Sequence, residues 1–204
     1  MNLREKFFGL LTTIGFEEKE IHKNWSDLEK VYSTKSRYYH NLNHLEEMIT
    51  AYNQYESKLK NPDEILFSIF YHDYIYKATR KDNELKSAEY ALKVLLTNES
   101  LDKKLIFEAI CATQLHQQNA NQDINWLIDF DLKILAMNWN DYLMYCSQIR
   151  KEYRIYPDFL YNPGRKKALE HFLENENIFQ TAEFRGLFDE TARVNIEREI
   201  ILLG

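Results

Sequence analysis

Four of the six histidines stand beside residues with which they could do chemistry. His40 and His44 are four residues apart and would share one face of a helix, with Arg37 three residues before His40. Two imidazoles at that spacing can bind one metal ion, or one can bind metal while the other transfers protons. The alternative interpretation is a structural or capping role for the pair.

His72 and Asp73 form a second group. Both follow Ile69 at helical spacing and therefore continue the apolar stripe of a predicted core helix. A carboxylate placed there must be paired, hydrogen-bonded or metal-bound, because an unpaired buried charge is costly. The alternative is a buried hydrogen bond between the two side chains with a purely structural role.

Asp129 and Asp131 are a third group, and only one of them is expected to reach a shared site. Residues two apart point to nearly opposite sides of a helix. Asp131 shares its face with apolar residues and is predicted to point inward, whereas Asp129 neighbours Asn125 and Lys133 on a predicted exposed face. We therefore choose Asp131, and a later helix start would reverse the choice.

Two more residues have both a structural and a functional interpretation. His116 shares a stripe with Ala109 and Ala112, whose small side chains leave room for a ligand or for a helix-end histidine. Glu84 lies in the first turn of a predicted helix, where the helix dipole favours an acid. It is also a candidate for a role in the site.

The elements that position these residues are predicted to be helices. The chain has 204 residues with only five Gly, three Pro and three Val, which argues against sandwiches, barrels and parallel sheets. We predict one all-α domain over residues 1–204 with eight to ten helices. Predicted helices begin at Asn61-Pro62, Ser100 and Asn138 and near Glu183, and extend to about Tyr76, His116, Ile149 and Leu203.

Charge and hydropathy exclude several classes of partner. The net charge is −6 and no basic run occurs, which argues against duplex nucleic acid. No apolar stretch approaches the roughly 18 residues that span a bilayer, so no membrane partner is expected. Two cysteines make no disulfide framework, and we expect a cytoplasmic protein. Aromatic residues of the C-terminal third either form a homodimer patch or complete the core; they are Tyr153, Tyr156, Phe159 and Tyr161.

The order His44, His72-Asp73, Asp131 resembles the H…HD…D metal motif of the HD superfamily of phosphohydrolases. Longer segments are similar to a bacterial family of predicted metal-dependent phosphohydrolases in that superfamily. These segments are RYYHNLNHL (37–45), FYHDYIY (70–76), DNELKSA (82–88), ATQLH (112–116), DFDLKIL (129–135), IRKEY (149–153) and ETARVN (190–195). They span most of the chain. Residues 39–44 also resemble a motif of cyclic-nucleotide phosphodiesterases, although Leu45-Glu46-Glu47 departs from that pattern.

The resemblance implies an HD-domain fold with a divalent metal ion. Its ligands would be His44, His72, Asp73 and Asp131, with His116 available for a second ion. This mixture of nitrogen and oxygen donors suits Mn²⁺, Fe²⁺, Co²⁺, Ni²⁺ or Zn²⁺.

The resemblance further implies an enzyme that hydrolyses a small phosphomonoester or phosphodiester, with a nucleotide as the leading substrate. Metal-activated water would attack, protonated His40 would assist the leaving group, and Arg37 or Lys81 would neutralise phosphate charge. Two alternatives remain open. One is a di-iron HD-fold oxygenase, with His116 and Glu84 at a second iron, and the other is a non-enzymatic domain that binds metal and nucleotide.

Overall fold

A computed structural model describes residues 2–204 and shows ten α-helices, with no β-strand in that range. The all-α prediction with eight to ten helices is therefore confirmed. The helices are α1 (Leu3–Thr13), α2 (Glu18–Tyr32), α3 (Leu42–Tyr55), α4 (Pro62–Tyr71), α5 (Asn83–Val94), α6 (Lys103–Ala112), α7 (Gln122–Leu132), α8 (Trp139–Glu152), α9 (Asp158–Glu174) and α10 (Ala182–Leu202). Short 3₁₀ turns follow α3 and α7, at Glu56–Lys58 and Lys133–Ala136.

Polar side chains fix where the helices begin. The predicted cap Asn138 is confirmed, because its side-chain oxygen accepts from the amides of Asn140 and Asp141. The start predicted at Ser100 is wrong, since Asp102 caps α6. Asn61 precedes α4 as predicted but makes no side-chain capping bond. At α6 and α8, but not at α4, a polar side chain that satisfies the free amides therefore marks the start of the helix.

Helix α4 is the centre of the core. Every residue from Ile65 to Tyr71 is buried, and α4 packs against α1, α3, α5, α6 and α7. Burying each large apolar side chain stabilises the fold by about 1.5–3 kcal/mol. The helix ends at Tyr71 rather than near Tyr76 as predicted, so His72 and Asp73 lie at its C-terminal end. A site built on these residues therefore rests on the most deeply packed helix.

Helices α8, α9 and α10 pack together and close one side of the site. Arg165 of α9 forms a bidentate ion pair with Glu199 of α10 at 2.8 and 3.0 Å, and Tyr142 of α8 donates to Glu199 at 2.6 Å. Tyr161 completes the core, Tyr153 and Tyr156 are half-buried, and Phe159 is exposed. Within residues 2–204, no helix is both long and apolar enough to cross a membrane.

Candidate metal centre

Four polar segments meet beyond the C-terminal end of α4. His44 comes from the first turn of α3, and His72 and Asp73 follow α4 directly. Asp131 lies in the last turn of α7, and His116 lies in the connection after α6. These are the five metal ligands proposed from the sequence, and the fold brings all five together.

The spacing of the donor atoms suits one shared ion. His44 Nε2 lies 3.3 Å from His72 Nε2 and 3.2 Å from Asp131 Oδ1, and His72 Nε2 lies 3.9 Å from the same oxygen. Two ligands each about 2.1 Å from one ion are about 3.0–3.4 Å apart at cis or tetrahedral angles. The two separations from His44 fall in this range and the separation between His72 and Asp131 is longer, so the three residues form a group that could hold one ion.

Asp73 and Asp131 are held in the ionised form that a metal ligand needs. Burial alone would raise the pKa of each carboxyl. Attraction from His72 and His40 outweighs burial at Asp73, and hydrogen bonds from His116 and His44 outweigh it at Asp131. Both pKa values therefore lie below the ordinary range. Asp73 Oδ2 lies 3.2 Å from His72 Nε2, so this carboxylate borders the group formed by His44, His72 and Asp131.

His116 approaches the other oxygen of Asp131. Its Nε2 lies 2.9 Å from Asp131 Oδ2, and its backbone adopts a positive φ of 52°. That left-handed conformation costs a non-glycine residue about 1–2 kcal/mol. Gln180 holds the turn by donating its side-chain amide to the carbonyl oxygen of His116. The two oxygens of Asp131 thus face different histidines, and His116 lies where it could orient this carboxylate.

His40 reaches the site from the turn before α3, so the predicted helical face shared with His44 does not exist. Its Nδ1 lies 2.6 Å from Glu152 Oε2, and its Nε2 lies 4.0 Å from Asp73 Oδ2. The ring stacks on Tyr76 at 4.1 Å between centroids. One ring nitrogen is thus anchored while the other faces the ligand cluster, as a proton donor requires.

Glu152 and Tyr76 are the site residues that sequence reasoning missed. Glu152 accepts hydrogen bonds from the Tyr76 hydroxyl and from the amides of Tyr39 and His40. Burial would raise the pKa of Glu152, but its bonds to His40 and these other donors hold the pKa below its ordinary value. The available signal was position, because Glu152 continues the apolar stripe of α8 in the way that Asp73 continues the stripe of α4.

A cavity of about 720 Å³ opens above the cluster. Its floor carries His40, Asp73, His116 and Asp131. Glu84 lies on its wall in the first turn of α5, as an acid whose pKa burial raises. The lining also includes three cationic residues and five tyrosines, namely Arg80, Lys81, Arg165, Tyr76, Tyr145, Tyr153, Tyr156 and Tyr161. Arg80 is paired with Asp82 and Arg165 with Glu199. The cavity offers a cationic rim and aromatic walls to a ligand that reaches the metal cluster.

The geometry of Arg37 gives it a structural role instead of the predicted contact with phosphate. Its guanidinium is buried and donates to the carbonyl oxygens of His40, Asp73 and Tyr74 at 3.2, 2.7 and 2.9 Å. These bonds fix the backbone of two candidate site residues. Arg80 and Lys81, unlike Arg37, line the cavity.

We expect Arg37→Lys to lower the free energy of unfolding by about 2–4 kcal/mol, because an ammonium cannot reach all three carbonyls and leaves buried acceptors unpaired. Urea denaturation measures this change. The KM of the folded variant for a phosphate ester should stay within about threefold of the parent value, which corresponds to a change of less than about 1 kcal/mol in binding free energy. A large rise in KM with unchanged stability would show that Arg37 contacts the substrate, as the sequence predicted.

Asp129 is buried, so the exposed position predicted for it is wrong. Its carboxylate accepts from the amides of Gln180 and Thr181 and from the Thr181 hydroxyl, at 2.6, 2.8 and 2.6 Å. Thr181 in turn caps α10. Asp129 therefore joins α7 to the start of α10, and Asp131 alone of the pair lies in the metal cluster, as predicted.

Asp129→Asn is expected to lower the free energy of unfolding by about 2–3 kcal/mol, because in either orientation the amide nitrogen would face a backbone N–H that can only donate. The same variant should keep its metal, since the substituted side chain lies outside the ligand cluster. Thermal or urea unfolding, together with metal analysis, checks both parts. A stable variant that has lost its metal would show that the wrong aspartate has been assigned.

Comparisons with models of protein families, with curated proteins and with solved structures gave no match to this chain. The chemistry of the centre therefore rests on its own geometry. The resemblance of its motifs to HD-superfamily phosphohydrolases stays a prediction.

Proposed function

We propose that the chain is a metal-dependent phosphohydrolase that cleaves a small phosphate ester, with a nucleotide as the leading substrate. The observation that supports this proposal best is the convergence of a three-donor metal group with an anchored histidine at the floor of one cavity. A domain that only holds a structural ion has no need of such a histidine beside the ligands.

The donor set fits a divalent transition metal. Two imidazoles and two carboxylates are mixed nitrogen and oxygen ligands, which favour Mn²⁺, Fe²⁺, Co²⁺, Ni²⁺ or Zn²⁺ over Mg²⁺ or Ca²⁺. When bound, such an ion supplies the Lewis acidity that activates water and polarises a phosphoryl oxygen. His44, His72, Asp73 and Asp131 would hold it.

His40 is proposed to donate the proton that the leaving oxygen needs. Burial would lower the pKa of His40, but the charges of Asp73 and Glu152 outweigh burial and raise this pKa above its ordinary value, which favours the protonated imidazole. Glu152 acts as a positioning residue, because it anchors Nδ1 and leaves Nε2 directed at the cluster. The proton would pass from Nε2 to the departing alkoxide.

The lining of the cavity supports a phosphate ester with a planar group. Lys81 brings positive charge to the cavity lining of a chain whose net charge is −6, and Arg80 lies beside it in an ion pair with Asp82. The tyrosine walls offer ring faces against which a base can stack, an interaction that does not depend on the identity of the base. These features support a nucleotide more than an aliphatic sugar phosphate.

Metal analysis followed by a substrate screen tests the proposal. The protein is purified without chelator or affinity-tag metal, its metal content is measured, and turnover of nucleotides and simple phosphate esters is assayed with each divalent ion. We expect at least one transition-metal ion per chain and turnover that disappears with a chelator. Metal-loaded protein that binds nucleotides without turning over any phosphate ester would contradict the proposal and favour a binding domain.

The two histidines beside Asp131 favour a second candidate, the di-iron oxygenase. His44 faces Oδ1 and His116 faces Oδ2 of this carboxylate, so Asp131 and His116 would be among the residues available to hold a second ion. Two irons per chain with substrate-dependent consumption of O₂ would establish that alternative. Two ions with phosphate release and no O₂ consumption would instead support a two-metal hydrolase.

A further inference from the structure

The corner between α8 and α9 exposes large apolar side chains that the core does not use. Ile155, Phe159 and Leu160 are 67, 75 and 55% exposed within six residues of one another. Ile155 lies in the connection, and the other two lie in the first turn of α9. Clusters of large exposed apolar residues are typical of a surface that binds a membrane or another protein.

The same corner is the most basic part of an acidic chain. Residues 150–167 contain six Lys or Arg and two acids, whereas the whole chain carries a net charge of −6. Both acids are engaged, because Glu152 is buried against His40 and Asp158 pairs with Arg150 at 2.6 Å. Four cations of this segment pair with no acid within residues 2–204; they are Lys151, Arg154, Lys166 and Lys167.

The apolar and basic residues face the same way on α9. Lys166 follows Phe159 by seven residues and Lys167 follows Leu160 by seven, which places each pair on one side of the helix. Glu170 and Glu174 lie one and two turns further along, so the basic and apolar surface is confined to the first half of α9. We call this surface, made of Ile155, Phe159, Leu160 and the four free cations, the α9 surface.

We propose that the α9 surface binds an anionic lipid bilayer, with its apolar side chains in the interface and its cations on the lipid headgroups. Exposed apolar residues bordered by Lys and Arg are the features that hold a helix at an anionic membrane surface. The sequence argues against a membrane-spanning segment, and contact from outside the bilayer needs none.

Charge and side-chain chemistry favour this occupant over others. Two copies of the α9 surface would bring four cations against four like charges, which opposes self-association through it. Phe159 is the one aromatic residue among the three apolar residues of this surface, and Ile155 and Leu160 provide no ring on which successive nucleic-acid bases could stack. A bilayer accepts aliphatic and aromatic side chains equally and supplies many anions at once.

The position of the α9 surface predicts how the protein would be oriented on a membrane. Leu160 belongs both to the α9 surface and to the lining of the cavity above the metal centre, and Tyr156 lines the same cavity. Binding through α9 would therefore bring the cavity mouth close to the headgroups. The lipid contact itself does not depend on the proposed phosphohydrolase activity.

Vesicle co-sedimentation tests the proposal with the full chain. Vesicles of phosphatidylcholine alone are compared with vesicles that also contain phosphatidylserine, at low and at high salt. We expect binding to the anionic vesicles at low salt and its loss at high salt. Phe159→Ser should weaken binding about tenfold through lost apolar burial, and the double variant Lys166→Glu, Lys167→Glu should weaken it at least about tenfold.

Matched variants distinguish binding through the α9 surface from nonspecific adsorption to vesicles. Leu187 is 62% exposed on α10 between Glu183 and Glu190, so Leu187→Ser removes another well-exposed apolar side chain, here from acidic surroundings. Lys19→Glu with Lys23→Glu makes the same change of charge on the exposed face of α2. Neither control should weaken binding. Failure to bind anionic vesicles at low salt, or equal losses in the controls, would overturn the proposal, as would a dimer in light scattering that Phe159→Ser dissociates.

Discussion

Asp131→Asn is expected to release the metal ion and to lower turnover by at least about a hundredfold. Substitutions of residues that only support a ligand already cost about 10–100-fold in metal affinity or activity, and Asp131 is itself a proposed ligand. Its Oδ1 lies 3.2 Å from His44 Nε2, and its Oδ2 lies 2.9 Å from His116 Nε2. An asparagine would present one neutral oxygen and one donor to groups that an ionised carboxylate now joins. Metal content after gel filtration and turnover at saturating substrate are the measurements.

Asp129→Asn is the matched control for this prediction. It makes the same chemical change two residues away in the same helix, and its side chain bonds to Gln180 and Thr181 instead of to the histidines. The two variants should therefore show opposite effects. Asp131→Asn should lose metal with a modest change in stability, whereas Asp129→Asn should keep its metal and be less stable. A full complement of tightly bound metal in Asp131→Asn would refute the ligand set.

The sequence was sufficient to predict the helical fold and to single out five residues that the fold brings close together, because both depend on local pattern; that these residues bind metal stays a prediction. An acid on an apolar stripe, as at Asp73, must find a partner, and the fold supplies one in His72. The start of α8 followed from Asn138, whose capping bonds reach only two and three residues along the chain. Contacts between residues this close along the chain can be predicted from a short segment of sequence.

Predictions that depended on distant partners failed. Asp129 has polar neighbours within its helix, and its burial comes from donors about fifty residues away at the start of α10. Arg37 carries the charge that a phosphate-binding residue needs, but the carbonyls around residues 73 and 74 use it instead. His40 was placed on a helix because spacing alone does not reveal that α3 begins at Leu42. In each case a long-range hydrogen bond or a helix boundary decided the outcome.

His40→Ala is expected to lower turnover in a way that depends on the leaving group. General acid catalysis contributes about 10²–10⁴-fold where the departing oxygen needs a proton. An alkyl phosphate ester should therefore lose at least about a hundredfold, because its alkoxide leaves poorly without protonation. A nitrophenyl ester should lose less than about tenfold, because its phenolate leaves unprotonated. The measurement is kcat on both ester types with metal-loaded protein, and the metal content should be unchanged.

Glu152→Gln should show the same dependence on the leaving group with a smaller amplitude. The glutamine keeps an oxygen for the amides of Tyr39 and His40 but loses the charge that holds the His40 ring at 2.6 Å. A merely structural role would lower turnover of both esters equally, whereas a positioning role lowers turnover of the alkyl ester more. Equal losses on both esters in His40→Ala would remove the proton-donor assignment and leave His40 as a group that binds the phosphate. Since Nε2 faces Asp73 and the cavity floor, a binding role would appear in KM, and a proton-donor role appears in kcat.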